Sequence, residues 1–310
     1  MAGLFDVVII GGGPAGLAAG IYAARARLAA VLIEKAFPGG QVLTADLVEN
    51  FPGFPEGIGG MALAELLVSQ ARAAGLETRT AEVKQLTVEK DGFHIIIDKG
   101  EILSTRSLII ATGAAWNALN VPGEEDLRGR GVSYCATCDG PLFRDREVVV
   151  VGGGDTAVGD ALFLAKFAKK VTIVHRRDAL RAAKVLQERV RANEKIEVRW
   201  NSIVVRIEGR SRVTSVVLKN VSDQTTSTLP CDGVFVLVGV KPNSELVKGI
   251  VDTDASGSIV TDGDMRTSRQ GIFACGDVRK KILRQIVTAC GEGAAAAFSA
   301  QHYLEGLRSR

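Results

Sequence analysis

The sequence predicts an α/β fold built from two Rossmann-like lobes. Two apolar runs, at residues 5–10 and 146–151, each enter a glycine-rich loop that is followed by a helical segment. Continuous apolar runs are typical of parallel strands covered on both faces. The loops, at residues 11–16 and 152–157, have the spacing of a turn that cradles a pyrophosphate. A length of 310 residues suits two domains of about 150 residues each.

Charge and cysteine content narrow the class of protein. The formal net charge is +3, from 38 basic and 35 acidic residues, which is too balanced for a nucleic-acid-binding surface. Residues 7–24 form an uncharged run near the lower length limit of a membrane span, but the run contains a glycine turn and no basic residues precede it. Five cysteines with one close pair indicate no disulfide framework. We therefore expect a cytoplasmic protein that binds neither nucleic acid nor membrane.

The first lobe begins with a strand, a glycine loop and a second strand joined by a helix. The helix is expected to reach about Arg27, and residues 30–34 form the second strand, which ends in Glu34. Glu34 lies 23 residues after Gly11 (34 − 11 = 23), where a carboxylate accepts hydrogen bonds from a dinucleotide ribose. This spacing predicts a dinucleotide site at the first loop.

The rest of the first lobe contains a long loop at residues 37–60 that is rich in glycine and proline. Loops of this length are often functional, although a surface excursion is the alternative. We favour contact with a flavin, because small residues and amides such as Gly40 and Gln41 suit a backbone pressed against a flat ring. Residues 61–74 are predicted to be a helix and residues 78–98 short strands. A strand at residues 108–113 ends in a glycine turn and closes the lobe.

A close cysteine pair, Cys135 and Cys138, lies between the two glycine loops. Two cysteines separated by two residues can close and reopen a small disulfide ring, as a carrier of two electrons must. The alternatives are half of a zinc site or two buried small hydrophobes. Zinc needs about four ligands, and the other cysteines and the histidines form no second ligand pair. The pattern therefore favours a redox-active dithiol.

The second lobe repeats the first with one informative change. A helix is predicted over residues 155–169 and a strand over residues 170–174. At the position equivalent to Glu34, 23 residues after Gly152 (175 − 152 = 23), stands His175. It is followed by basic residues: Arg176, Arg177 and, one turn later, Arg181. Guanidinium groups bind a 2′-phosphate, so the site should prefer NADPH over NADH, unless these arginines are a solvated helix start.

The end of the chain returns to the first lobe. Residues 193–232 are predicted to form strands and turns, and the strand at 234–239 marks the end of an inserted lobe. Residues 271–277 repeat the strand-to-glycine-turn pattern and end in an acid that suits a polyol hydroxyl. A Gly/Ala-rich helix is expected over residues 289–300.

These motifs together resemble the low-molecular-weight, bacterial-type thioredoxin reductases over essentially the whole chain. The motif Cys135-Ala136-Thr137-Cys138-Asp139 between two glycine loops is the most specific of them. The resemblance implies an FAD-binding domain at residues 1–114 and 243–310, with an NADPH-binding domain at residues 115–242 inserted in it. It also implies a homodimer and thioredoxin as the electron acceptor.

The resemblance assigns candidate contacts to both cofactors. The candidates for FAD are Gly11, Gly13, Pro14, Ala15, Gly16, Glu34, Gly40, Gln41, Asn50, Val83, Ala111, Thr112, Gly113, Gly276, Asp277, Arg284, Gln285 and Ile286. The candidates for NADPH are Gly152, Gly154, Asp155, Thr156, Ala157, His175, Arg176, Arg177 and Arg181.

The catalytic roles implied by the family are those of a disulfide exchange. Cys138 faces the flavin, Cys135 attacks the thioredoxin disulfide, and Asp139 serves as general acid and base for the thiol. The family alternates the two steps by rotating the inserted domain, with hinges expected near residues 114–118 and 241–244.

The sequence departs from the family's pattern at two places, and two other functions stay open. Residues 140–143 lack the paired aromatics that relatives often use to touch thioredoxin, and Gly159-Asp160 replaces two glutamates. A related enzyme could pass electrons to oxygen or to a peroxidase-linked partner, although an oxygen-using oxidase needs no 2′-phosphate clamp. A nucleotide-sensing module with structural cysteines is the non-enzymatic alternative.

Overall fold

The computed structural model describes residues 4–45 and 47–308, which form two compact units. The first unit comprises the chain up to residue 115 together with the chain from residue 241, and the second comprises residues 116–240. The strands are β1 (Leu4–Ile10), β2 (Ala30–Glu34), β3 (Glu77–Thr80), β4 (Val83–Glu89), β5 (Gly92–Ile97), β6 (Ile102–Ile110), β7 (Ala114–Trp116), β8 (Val132–Ser133), β9 (Glu147–Val151), β10 (Lys170–Val174), β11 (Ile196–Arg199), β12 (Ser202–Gly209), β13 (Val213–Asn220), β14 (Thr226–Pro230), β15 (Gly233–Val236), β16 (Val240–Pro242) and β17 (Ile272–Ala274). The α-helices are α1 (Pro14–Arg25), α2 (Gly60–Ala73), α3 (Ala136–Asp139), α4 (Asp155–Leu164), α5 (Lys184–Arg191) and α6 (Ile286–Arg308).

The first unit is built on a mixed sheet whose path is β3-β2-β1-β6-β5-β4, with β17 also paired to β6. The pairs β1–β2, β2–β3, β1–β6 and β6–β17 are parallel, whereas β4, β5 and β6 are antiparallel. Every residue of β1 from Val7 to Ile10 is buried, as expected of a parallel strand covered on both faces. Because β17 comes from the C-terminal part of the chain, this unit closes only when both parts are present.

Helices α1 and α6 pack against each other on one face of this sheet at a contact that requires glycine. A Cβ on Gly293 would lie 2.1 Å from the Ala15 carbonyl oxygen, so the two helix backbones touch there. This contact fixes the start of α1, and with it the first glycine loop, against the C-terminal helix.

The second unit contains a parallel sheet in the order β11-β10-β9-β15-β8 and a separate antiparallel sheet, β12-β13-β14. Helices α4 and α5 pack against the parallel sheet around a core that includes Leu164, Phe235 and Val190. The predicted α/β fold with parallel strands leading into glycine loops is confirmed.

Several predicted element ends are wrong for identifiable reasons. Helix α1 ends at Arg25, because Arg27 adopts a left-handed φ of 57°. Helix α4 ends at Leu164, where the chain turns and the Lys195 ammonium donates to the carbonyls of Ala165 and Ala168. Helix α6 is longer than predicted and spans Ile286–Arg308. In the described part of the chain, no helix has the length and apolar character needed to cross a membrane.

Candidate redox and nucleotide sites

The first glycine loop is shaped by two approaches that only glycine permits. Gly11 has a φ of 107°, and a Cβ there would lie 2.4 Å from the Ala111 carbonyl oxygen. A Cβ on Gly16 would lie 1.8 Å from the Gly11 carbonyl oxygen. Pro14 opens α1 in the first turn, where its missing N–H costs no hydrogen bond. The N-terminus of α1 therefore follows directly on a tight turn, which is the geometry of a pyrophosphate cradle.

Glu34 ends β2 beside this loop and is already engaged with it. Its Oε2 accepts a hydrogen bond from the Gly12 amide at 2.7 Å, and its Oε1 accepts one from Ala36 at 3.1 Å. Gly40 also approaches the loop, because a Cβ on it would lie 3.0 Å from the Gly13 Cα. The structure thus brings together the loop, the acid and the 39–41 turn that the sequence singled out.

A turn at Gly276 and Asp277 lies against the start of α1. Gly276 has a φ of 75°, and a Cβ on it would lie 2.8 Å from the Ala15 Cβ. Its amide donates to Glu292 at 2.8 Å, and Glu292 is paired with Arg279 and Lys281 at 3.0 Å each. Glu292 was not predicted from the sequence, where an acid inside a Gly/Ala-rich helix gives no sign of its partners.

Two buried polar atoms near this turn suit a ligand with hydroxyl and phosphate groups. Among the described residues, the Asp277 Oδ1 and the Arg284 Nε are buried without a hydrogen-bond partner. Burial raises the pKa of Asp277, and Lys281 at 3.7 Å opposes that shift. The Asp277 carboxylate can accept a hydrogen bond from a hydroxyl group, and the Arg284 guanidinium can donate one to a phosphate. The pair therefore suits a polyol phosphate such as the ribityl diphosphate part of FAD.

The other predicted contacts of the first lobe are held by neighbours. Asn50 donates to the side chain of Gln285 at 3.0 Å, and Gln41 donates to the Ala114 carbonyl. Thr112 donates to the Asn243 carbonyl at 2.6 Å, next to Gly113. Ile286 is the first residue of α6, whereas Val83 lies at the start of β4 opposite Ile97.

The close cysteine pair forms a disulfide between Cys135 and Cys138, with the two Cα atoms 5.3 Å apart. The pair directly follows β8, and Cys138 and Asp139 lie in the short helix α3. Both cysteines are partly exposed. Within the described residues, no group of three or more His, Cys, Asp or Glu side chains is placed to hold a metal ion. Cysteines that are partly exposed and bonded to each other fit a redox-active pair better than inert core cysteines.

Ser133 organises the dithiol segment, although nothing in the sequence distinguished it. Its hydroxyl donates to the Asp139 Oδ2 at 2.5 Å and accepts a hydrogen bond from the Cys135 amide at 3.1 Å. The carboxylate of Asp139 is therefore held close to the disulfide. A serine two residues before a cysteine is too common a pattern to have been found by sequence alone.

The departure at residues 140–143 forms a short 3-10 helix after Asp139. Phe143 packs edge-on against Phe235, with ring centroids 5.2 Å apart, so this aromatic belongs to the core. Leu142, by contrast, is 56 % exposed.

The second glycine loop repeats the tight geometry of the first. A Cβ on Gly152 would lie 2.5 Å from the Leu237 carbonyl oxygen, and one on Gly153 would lie 2.3 Å from the His175 ring. Asp155 accepts a hydrogen bond from the Ala183 amide, and the Arg181 amide donates to the Gly153 carbonyl. Gly154, Thr156 and Ala157 complete the loop and the first turn of α4.

The basic cluster divides into one buried histidine and three exposed arginines. His175 is only 5 % exposed, and its Nε2 lies 3.1 Å from the Ala179 carbonyl oxygen. Burial lowers the pKa of His175, so the ring is neutral and supports the loop by packing. Arg176, Arg177 and Arg181 are exposed and are the cations available to an anion.

Comparison with known proteins gives a consistent result over nearly the whole chain. Residues 5–293 match the Pyridine nucleotide-disulphide oxidoreductase family. The chain is 47 % identical to the thioredoxin reductase of Listeria innocua over 306 residues, covering 98 % of this chain and 95 % of that protein. It is 45 % identical to the thioredoxin reductase of Treponema pallidum, covering 98 % and 99 %. A crystal structure of thioredoxin reductase from Streptococcus pyogenes superposes with a TM-score of 0.94 at 45 % identity, covering 99 % of this chain and 100 % of that one.

Proposed function

Because the chain belongs to the pyridine nucleotide-disulphide oxidoreductase family and, within it, to the thioredoxin reductases, we propose that it reduces the disulfide of thioredoxin with electrons from NADPH. The Cys135–Cys138 pair would receive these electrons through bound FAD and pass them to thioredoxin. The observation that carries the proposal is this partly exposed disulfide, which is followed at once by a carboxylate and stands in the sequence between two glycine loops.

We assign FAD to the first unit and NADPH to the second. Bound FAD would supply two-electron transfer from a nicotinamide to a disulfide. Its pyrophosphate would be held by the first glycine loop, and its ribityl chain by Asp277 and Arg284, whose orphaned atoms need such partners. The exposed Arg176, Arg177 and Arg181 would hold the 2′-phosphate of NADPH through bidentate hydrogen bonds.

The two cysteines divide the disulfide exchange between them. Once the pair is reduced, the Cys135 thiolate attacks one sulfur of the thioredoxin disulfide and releases the first thioredoxin thiolate. Cys138 then attacks the Cys135 sulfur of the mixed disulfide, which releases the second thioredoxin thiolate and restores the Cys135–Cys138 bond. Two electrons leave the protein, and thioredoxin takes up two protons.

Asp139 is positioned to handle the proton in this exchange. Ser133 donates to its Oδ2, which orients the carboxylate in the segment that holds both sulfurs. A carboxylate in this position can take the proton of the thiol that must become the nucleophile and return it to a leaving thiolate.

A second copy of the chain is the proposed partner of the first unit. Its helices α1, α2 and α6 carry exposed apolar side chains at Tyr22, Met61, Leu66 and Phe298. Apolar side chains exposed on neighbouring helices favour burial against another protein. Light scattering of the purified protein should give twice the chain mass of 32.8 kDa, and a monomeric mass would refute the homodimer.

The function is tested by anaerobic titration of the purified, flavin-loaded protein with NADPH and then with NADH. NADPH should bleach the yellow colour at lower concentration than NADH, and oxidised thioredoxin should restore it. A colourless protein that cannot be reconstituted with FAD, or a bleached protein that thioredoxin leaves reduced, would contradict the proposal.

A further inference from the structure

Glu124 is a buried acid that the proposed reaction does not use. It is 3 % exposed, and a carboxylate so placed is costly unless hydrogen bonds replace its water. Its Oε1 accepts from the Leu119 amide at 2.9 Å and from the Tyr134 hydroxyl at 2.9 Å, and its Oε2 accepts from the Asn120 amide at 2.7 Å. These three donors are neutral, so the arrangement fixes backbone and side-chain positions and does not pair charges.

The three donors come from two segments that matter for the dithiol. Leu119 and Asn120 follow β7, the strand in which the chain leaves the first unit, and Asn120 holds a left-handed φ of 58°. Tyr134 directly precedes Cys135. Glu124 therefore ties the backbone after the crossover to the residue that leads into the disulfide.

Tyr134 is buried and is held by three neighbours. The residue is 9 % exposed, and its ring stacks on Trp116 at a centroid distance of 6.4 Å and lies 5.4 Å from the Arg128 guanidinium carbon. Burial and the Glu124 carboxylate raise the pKa of Tyr134, with Arg128 opposing them, so the phenol stays protonated and donates. Arg128 itself is paired with Glu125 at 3.7 Å.

Ser133 ends β8 and Tyr134 follows it in a bend, and the side chains of these two neighbours each fix one part of the dithiol segment. Ser133 reaches Asp139, whereas Tyr134 reaches Glu124. While the disulfide is closed, the sulfur–sulfur bond also restrains this segment. When the disulfide opens, that restraint is lost and the hydrogen bonds must hold the nucleophile in place.

We propose that Glu124 and Tyr134 are positioning residues that hold Cys135 and Asp139 in attacking geometry after the disulfide has been reduced. The proposal rests on the roles proposed above for Cys135 and Cys138. It follows that loss of this anchor should slow the exchange with thioredoxin and leave the reduction of the flavin by NADPH unchanged.

The test compares Tyr134→Phe, Glu124→Gln and the double variant in the flavin-loaded protein. Tyr134→Phe keeps the ring on Trp116 and removes only the donor. Each single variant should lower kcat for thioredoxin by about tenfold with KM unchanged, because the anchor positions the nucleophile and contacts no substrate. Since both changes break one shared hydrogen bond, the double variant should lose much less than the product of the two single losses. Stopped-flow bleaching by NADPH should match the wild-type rate.

The matched control is Glu125→Gln, which changes the exposed acid next to Glu124 in the sequence. It should behave as the wild type does. The proposal is overturned if Tyr134→Phe keeps full turnover, or if it slows bleaching and turnover equally, which indicates general loss of structure. Cys138→Ser separates the two hypotheses. If it reduces thioredoxin normally, the proposed function fails; if it is inactive while both anchor variants are normal, only the anchor fails.

Discussion

At the scale of single residues, burial decides which of the five cysteines can act as a nucleophile. Burial raises the pKa of Cys231 to about 12 and that of Cys290 to about 11, and it also raises the pKa of the fully buried Cys275. The thiolate is the reactive form, so these three thiols are inert near neutral pH. Cys135 and Cys138 are left as the pair that exchanges electrons.

Replacement of Cys138 by serine should uncouple the flavin from thioredoxin. The variant keeps every residue assigned to FAD, so it should remain yellow and still be bleached by NADPH. It cannot close a disulfide with Cys135, and thioredoxin reduction should therefore fall by at least about a thousandfold. The measurement is NADPH-dependent thioredoxin reduction, with Cys231→Ala as the control that removes a buried thiol. Normal turnover by Cys138→Ser would show that electrons take another route.

The arginine cluster should determine the choice of nucleotide. The double variant Arg176→Ala/Arg177→Ala removes two exposed guanidinium groups and leaves the buried His175 in place. Each bond between a guanidinium and a phosphate contributes about 1.5–3 kcal/mol, so NADPH affinity should fall by at least about a hundredfold. NADH, which lacks the 2′-phosphate, should lose little. Binding titrations of both nucleotides measure this, with Arg189→Ala/Arg191→Ala as the control; equal losses for the two nucleotides would exclude the clamp.

Asp160 should make the stability of the second unit depend on pH. Burial raises its pKa to about 6 from an ordinary value of 3.8. The folded state therefore holds a proton that the unfolded state lacks between about pH 4 and pH 6, so stability falls as the pH rises through this window and stays lower above it. Asp160→Asn removes the ionising group and with it the loss of stability at higher pH. Because the side chain is partly solvated, we expect a gain of about 1–2 kcal/mol at neutral pH and none near pH 4.

Urea unfolding of Asp160→Asn and the wild type at the two pH values measures that difference. Trp116 and Trp200 both lie in the second unit, so tryptophan fluorescence reports on it specifically. The same gain at both pH values would mean that packing, and not ionisation, separates the two proteins.

At the scale of elements, two glycines of α6 have opposite roles. A Cβ on Gly293 would collide with the Ala15 carbonyl, whereas one on Gly291 would meet nothing within 4 Å. Gly293→Ala should lower the free energy of unfolding by about 1–3 kcal/mol and weaken FAD retention, because it pushes α6 away from the start of α1. Gly291→Ala should raise the free energy of unfolding by about 0.5–1 kcal/mol through helix propensity alone. Thermal unfolding followed by circular dichroism, with flavin fluorescence, tests the pair. Equal effects of the two substitutions would contradict this account of the contact.

Sequence patterns predicted the elements that depend on local signals. Apolar runs and glycine loops located β1, β9 and the helices that follow them, because both signals are contiguous in the chain. Helix α5, Lys184–Arg191, was not predicted, and α4 was predicted to be too long. Where α4 ends depends on Lys195, which donates to carbonyls that are 27 and 30 residues away in sequence. Contacts of this kind leave no local pattern.

The residues of the candidate site also divide into those with a local sequence signal and those that depend on distant contacts. The dithiol and the glycine loops could be located from the sequence because each is a short contiguous motif. The assignment of the arginines to a 2′-phosphate stays a prediction. Ser133, Glu124 and Glu292 were missed because their importance comes from partners that the fold supplies. His175 was grouped with the arginines from its position alone, and only its burial shows that it supports the loop.

At the scale of the whole molecule, the first unit is assembled from two distant parts of the chain. Its sheet takes β17 from the C-terminal part, and its helix α1 packs on α6. The second unit, by contrast, has all five strands of its parallel sheet within residues 116–240. An insertion of this kind predicts that the first unit can fold without the second, provided that residues 115 and 241 lie close together. These are the residues at which the chain leaves and re-enters the first unit.

The two crossover points do lie close together, which leads to a prediction for the first unit produced without residues 116–240. Strand β7 pairs with β16, the Asn243 amide donates to the Gly113 carbonyl at 3.0 Å, and the Asn243 side chain donates to the Thr112 carbonyl at 2.9 Å. A short glycine-serine linker in place of residues 116–240 therefore closes only a small gap. The excised chain should fold and bind FAD with the affinity of the full protein within about tenfold, because every residue assigned to FAD is retained. NADPH should not bleach it, because all the candidate NADPH contacts have been removed.

Residues 116–240 expressed alone provide the complementary control and should be colourless but bind NADPH. The decisive measurement is flavin absorbance after gel filtration, followed by anaerobic addition of NADPH to each fragment. If the excised first unit folds without retaining FAD, the flavin site needs residues from the second unit. If NADPH bleaches it, the pyridine nucleotide has a site in the first unit, and the division of the two cofactors between the two units is wrong.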